Sequence, residues 1–85
     1  MLEKPQSLEV IARAPFKIYY EGVAESVSAT NNVGRFDILP GHADFFSIIN
    51  EGEVSIGTDK EVITININNG IVSVKDNNVM LFLNI

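Results

Sequence analysis

Apolar side chains return at every second position along most of this chain, and that period of two constrains its fold more than any other feature. Ile63, Ile65 and Ile67 alternate with Thr64, Asn66 and Asn68. Leu8, Val10 and Ala12 alternate with Glu9, Ile11 and Arg13, and Phe16, Ile18 and Tyr20 with Lys17, Tyr19 and Glu21. Val27 and Ala29 stand between Ser26, Ser28 and Thr30, and Val72 and Val74 beside Ser73 and Lys75. Successive side chains of a strand point to opposite faces, so this pattern marks strands with one covered and one exposed face. Branched isoleucine and valine fit such a pleated surface better than a helix. No window of a dozen residues keeps a period near 3.6.

Turn-forming clusters separate the runs. Glu21-Gly22, Asn31-Asn32-Val33-Gly34, Pro40-Gly41, Glu51-Gly52, Gly57-Thr58-Asp59-Lys60, Asn69-Gly70 and Asp76-Asn77-Asn78 each read as a break. Their spacing predicts an all-β domain of about eight or nine strands in two facing sheets. A chain of 85 residues encloses one core, so residues 1–85 are expected to form a single domain. Val79-Met80-Leu81-Phe82-Leu83 stands apart because it lacks polar alternates. Both its faces are expected to be covered, or one of them by a partner.

Charge and composition narrow the function classes. Eleven acidic residues against six basic ones give a net charge of −5, which repels phosphate backbones and anionic lipid on average. The basic residues Lys4, Arg13, Lys17, Arg35, Lys60 and Lys75 are scattered, so no nucleic-acid partner is expected. The five-residue apolar run at 79–83 is far short of the roughly 20 residues of a membrane-spanning helix. The opening MLEKPQS does not read as a secretory signal, and direct membrane insertion is not expected. Absence of cysteine excludes disulfides and thiolate metal sites.

Candidate chemical groups do not assemble into a site. His42 is the one histidine, and it reads as a turn residue bonded to local backbone rather than as a base or ligand. Asp37 and Asp44 flank a Pro-Gly break that need not bring them together, while Glu51 with Glu53 and Asp59 with Glu61 fall in wet turns. Asn31–Gly34 and Asn69-Gly70 do not resemble a phosphate loop, and tolerance of positive φ accounts for them as turns. No catalytic residue, metal or cofactor is expected. The aromatic pairs Tyr19-Tyr20 and Phe45-Phe46 carry more weight. Each should send one ring to either side of a sheet, leaving one member under loop cover or exposed as a contact patch.

The block Phe36-Asp37-Ile38-Leu39-Pro40-Gly41-His42-Ala43 resembles the "LPGHA" signature of the epsilon subunit of F-type ATP synthases, in its N-terminal β-sandwich domain. Leu8-Glu9-Val10-Ile11, Phe16 to Val23, Val27 to Thr30, Glu51 to Ile56, Asn69 to Val74 and Asn78 to Phe82 follow the family's order of elements. The resemblance runs from about residue 7 to 85. It implies an epsilon-type, flattened two-sheet β-sandwich of about eight to ten short strands. It also implies a non-catalytic central-stalk (rotor) subunit that couples the membrane ring of a proton-translocating synthase to the gamma shaft. Such a subunit sits peripherally, at the cytoplasmic face of the membrane. By the family pattern Asn31, Asn32, Val33 and Arg35, with a nearby turn at His42, approach the ring. One face carrying a ring of Tyr19, Tyr20, Phe45 or Phe46 packs on gamma. Arg35 stands where the family often has an acid, Asp44 where proline is frequent, and Asn69 where a small residue is usual. The family's C-terminal helical hairpin is absent from this sequence, so inhibition and ATP binding are not expected. The alternative is a free-standing β-sandwich module that binds another protein outside the synthase.

Overall fold

The computed structural model describes residues 7–85. Residues 1–6, with Lys4 and most of the segment inspected for a signal, lie outside it. Nine strands follow one another: β1 (Leu8–Ala14), β2 (Lys17–Ala24), β3 (Ser26–Asn31), β4 (Gly34–Ile38), β5 (Phe45–Ile49), β6 (Gly52–Gly57), β7 (Val62–Ile67), β8 (Gly70–Lys75) and β9 (Asn78–Leu83). They form a five-stranded sheet, ordered β2-β1-β9-β8-β5, and a four-stranded sheet, ordered β4-β3-β6-β7. Every pair is antiparallel except β1 with β9, which run parallel. The all-β two-sheet architecture read from the period of two is therefore the observed one.

The alternating residues meet between the sheets. Leu8, Val10, Ala12, Ile49, Val72, Val74, Val79, Leu81 and Leu83 come from the larger sheet. Val27, Ala29, Ile38, Val54, Ile56, Ile65 and Ile67 face them from the smaller one. Each large side chain buried here contributes about 1.5–3 kcal/mol of transfer free energy, which offsets the chain entropy lost on folding. Phe36 and Phe45 close one seam between the sheets, with ring centroids 5.3 Å apart.

The strand directions give the sandwich two ends. One end gathers the turns Pro15-Phe16, Asn32-Val33, Asn50-Glu51 and Asn68-Asn69; the other gathers Glu25, the segment 39–44, the segment 58–61 and Asp76-Asn77. Four readings change on this frame. Glu21-Gly22 is not a turn: it lies inside β2, with Gly22 opposite Val10, and the chain turns at Pro15-Phe16 instead. A bulge between Ala12 and Arg13 pairs Tyr20 with Ala12 and Ile18 with Arg13, leaving Tyr19 as the extra residue. That extra residue breaks the expected Phe16–Ile18–Tyr20 alternation, and both tyrosines pack against the core cluster rather than splitting between faces. Gly70 does not have a positive φ. It is needed for space, because a Cβ there would lie 2.9 Å from the Phe82 carbonyl oxygen.

The last strand resolves an open expectation. Val79, Leu81 and Leu83 are buried, whereas Met80 is 45% exposed and Phe82 half-buried. The described residues therefore cover its outer face only in part.

Candidate protein-docking surface

The two sheets present unlike outer faces, and the register shows how each is built. On the larger sheet Ile11, Met80, Ser73 and Phe46 stand side by side across β1, β9, β8 and β5. The next row holds Ile18, Arg13, Phe82, Ile71 and Ile48. Phe46 and Ile48 are 65% and 67% exposed. The smaller sheet instead carries Arg35 and Asp37 from β4, Thr30 and a buried Ser28 from β3, Glu53 and Ser55 from β6, and Thr64 and Asn66 from β7, with Val62 of β7 as its exposed apolar residue. Ser28 donates to the Asp37 carboxylate at 2.6 Å, and Arg35 lies 3.7 Å from the same group. A sheet face this rich in apolar side chains, interrupted only by Ser73 and Arg13 in these two rows, is the kind of surface on which another molecule docks.

Features at the rim shape this face. A groove of about 610 Å³ runs over Ile11, Met80, Ser73 and Gly22, with Glu9, Glu21 and Lys75 along it. Among the described residues neither glutamate has a basic partner within ion-pair distance. A second groove of about 380 Å³ joins Phe46 and Ile48 to Asn31, Asn32 and Val33 of the β3–β4 hairpin. That hairpin is held firmly. Asn31 Oδ1 accepts the backbone N–H groups of Val33 (2.9 Å) and Gly34 (3.2 Å), a side-chain closure of the turn. Asn31 Nδ2 donates to Ser47 at 3.1 Å, and Asn50 Nδ2 donates to Asn32 at 3.0 Å. Val33, 96% exposed, is thereby presented as a fixed apolar tip.

Of the residues singled out in the sequence, the structure joins Asn31, Asn32, Val33 and Phe46 into one surface. Arg35 belongs to the polar face of the other sheet, beside Asp37. His42 is not near the Asn31–Val33 hairpin. The two sit at opposite ends of β4, whose five residues span roughly 16 Å. The His42 N–H donates to the Leu39 carbonyl at 3.0 Å, its Nδ1 contacts the Ala43 carbonyl at 2.7 Å, and its ring lies edge-on to Phe45 at 5.5 Å. Phe45 points toward the core and Phe46 outward, as an adjacent pair on a strand must. Tyr19 accepts a hydrogen bond from Asn84 Nδ2 at 3.0 Å and lies under the Lys17 ammonium, while the Tyr20 hydroxyl donates to the Val23 carbonyl.

Ile11, Ile18, Ile48 and Ile71 join this face without having been singled out in the sequence, whereas Met80 and Phe82 belong to the run 79–83, for which a partner-covered face was one of the two expectations. The available signal for β5 was its outward pair Phe46 and Ile48, apolar where a wet strand face carries polar residues, and it becomes legible only once the register sets β5 in rows with β8 and β9. Among the described residues no group of histidine, cysteine and carboxylate side chains could hold a metal ion. No helix there is long and apolar enough to cross a membrane.

The family model described as ATP synthase, Delta/Epsilon chain, beta-sandwich domain, matches residues 7–84. The ATP synthase epsilon chain of Trichlorobacter lovleyi is 30% identical over 83 residues, covering 98% of this chain and 58% of that protein. The epsilon chain of Synechococcus elongatus is 32% identical over 78 residues, covering 92% of this chain and 57% of that protein. The chain thus spans a little over half the length of these relatives. Among solved structures, a chain of the Euglena gracilis mitochondrial ATP synthase (OSCP/F1/c-ring) superimposes with a TM-score of 0.88 at 14% identity, over 98% of this chain and 54% of that one. A chain of the Tetrahymena thermophila mitochondrial ATP synthase (central stalk/c-ring) gives 0.79 at 22% identity, over 95% of this chain and 66% of that one. These two establish likeness of fold.

Proposed function

The chain belongs to the ATP synthase delta/epsilon β-sandwich family, and we propose that it is a non-catalytic rotor part of the central stalk. In this reading it works by being held between neighbours. The apolar outer face of the five-stranded sheet packs on the gamma shaft, and the Asn31–Val33 hairpin meets the polar loops of the membrane ring. The subunit is then peripheral, at the cytoplasmic face, and couples proton-driven ring rotation to the shaft without bond chemistry of its own.

The contrast between the two outer faces carries the proposal. Phe46, Ile48, Ile71, Met80 and Phe82 expose apolar surface on one sheet, while the other, apart from Val62 on its edge strand β7, is covered by serine, threonine, asparagine and charged residues. Support for the choice of partner comes from relatives that are epsilon chains and from fold neighbours within a central stalk and c-ring assembly.

Co-expression with gamma and ring subunits tests the reading. The unsubstituted chain is expected to co-purify with them. The double variant Phe46→Asp, Ile48→Asp should lose at least about tenfold in affinity, because central apolar anchors of an interface cost 1–2 kcal/mol or more when removed. Thr64→Asp on the opposite face should retain binding. A chain that never enters the complex would leave the free-standing binding module as the better reading.

A further inference from the structure

The chain passes between the two sheets four times among the described residues. Three passages are very short: Glu25 between β2 and β3, Asn50-Glu51 between β5 and β6, and Asn68-Asn69 between β7 and β8. Links of one or two residues have little slack of their own. The fourth, Leu39–Asp44 between β4 and β5, has six residues, enough to flex unless something holds it.

Asn77 supplies the hold. It is the second residue of the Asp76-Asn77 turn, where φ values of 50° and 64° put both residues in the left-handed region. Asparagine and aspartate tolerate that conformation, and a two-residue hairpin turn demands it. From this position Asn77 Oδ1 accepts the Gly41 N–H at 2.7 Å, a contact between residues 36 positions apart. The Asn77 carbonyl oxygen also accepts the Glu9 N–H at 2.8 Å, at the start of β1. One residue therefore ties the long passage to the β8–β9 turn and to β1. Gly41 itself has a φ of +86°, and nothing lies within 4 Å of where its Cβ would be. Glycine is there for its backbone, which turns the N–H toward Asn77. At the far end of the passage the His42 ring rests against Phe45, so the segment is fixed at its middle and at its exit.

We propose that Asn77 is a positioning residue: its side-chain oxygen latches the Leu39–Asp44 passage and removes the one compliant link between the sheets. The latch stands on its hydrogen bonds. Only its use, stiffening a body that transmits torque, rests on the stalk reading.

Amide exchange of the 85-residue chain, read residue by residue by NMR, tests the latch. Gly41 should exchange slowly in the unsubstituted chain. Asn77→Gly keeps the left-handed turn and deletes only the side chain. It should speed Gly41 exchange by roughly 3- to 10-fold, the range that one hydrogen bond gives, with Val54 and Val72 unaffected. Asn77→Asp, which keeps an acceptor oxygen, should restore slow exchange. The latch is refuted if Gly41 exchanges as an unprotected peptide in the unsubstituted chain, or equally fast with and without the Asn77 side chain, or no slower in Asn77→Asp than in Asn77→Gly. None of these outcomes depends on co-purification with a stalk, so the two proposals fail separately.

Discussion

Gly70 shows how little room the core leaves. A methyl group there would lie 2.9 Å from both Leu83 Cδ2 and the Phe82 carbonyl oxygen, and the second of these is backbone that cannot swing aside. Gly70→Ala should therefore cost about 1–3 kcal/mol, as other overpacked sites do. At about 4–8 °C per kcal/mol in a domain of this size, that loss lowers the thermal midpoint by roughly 4–24 °C, a shift readable by circular dichroism. Sequence alone could mark Asn69-Gly70 as a turn but could not say that the glycine serves packing, because the crowding atoms come from β9. Likewise the bulge that brings both tyrosines onto the core left no local mark in Ala12-Arg13. His42 was more legible: a lone imidazole beside a Pro-Gly break has local backbone as its nearest partner, and that is where it bonds.

At the scale of elements, strands with apolar residues on both faces are the informative ones. β9 and β5 each bury one face and expose the other, and the register sets their outer residues in common rows. Met80→Thr exchanges an exposed thioether for a good strand former. Stability should change by no more than about 0.5 kcal/mol, as for most surface substitutions, while affinity for the stalk partner falls. Parallel denaturation and binding titrations separate the two effects, and equal loss in both would argue for a purely structural Met80. Strand existence could be read from the period of two. Which strands are neighbours could not, because the parallel pairing of β1 with β9 joins residues about 70 positions apart and rests on tertiary packing.

At the scale of the molecule, two sheets joined by short passages form a body with one apolar and one polar outer face. The grouping of Asn31–Val33 with Phe46 and Ile48 at one end, and the removal of His42 to the other, were set by strand direction, which a motif read along the chain does not reveal. Hydroxyl-radical footprinting of the chain alone and within the assembled stalk tests the docking face most directly, since it reports side-chain exposure. Phe46, Met80 and Phe82 should lose most of their reactivity on assembly, while Val62 on the opposite sheet keeps its own. Unchanged labelling of Phe46 and Met80 in the assembly, with protection of Val62 instead, would contradict the account.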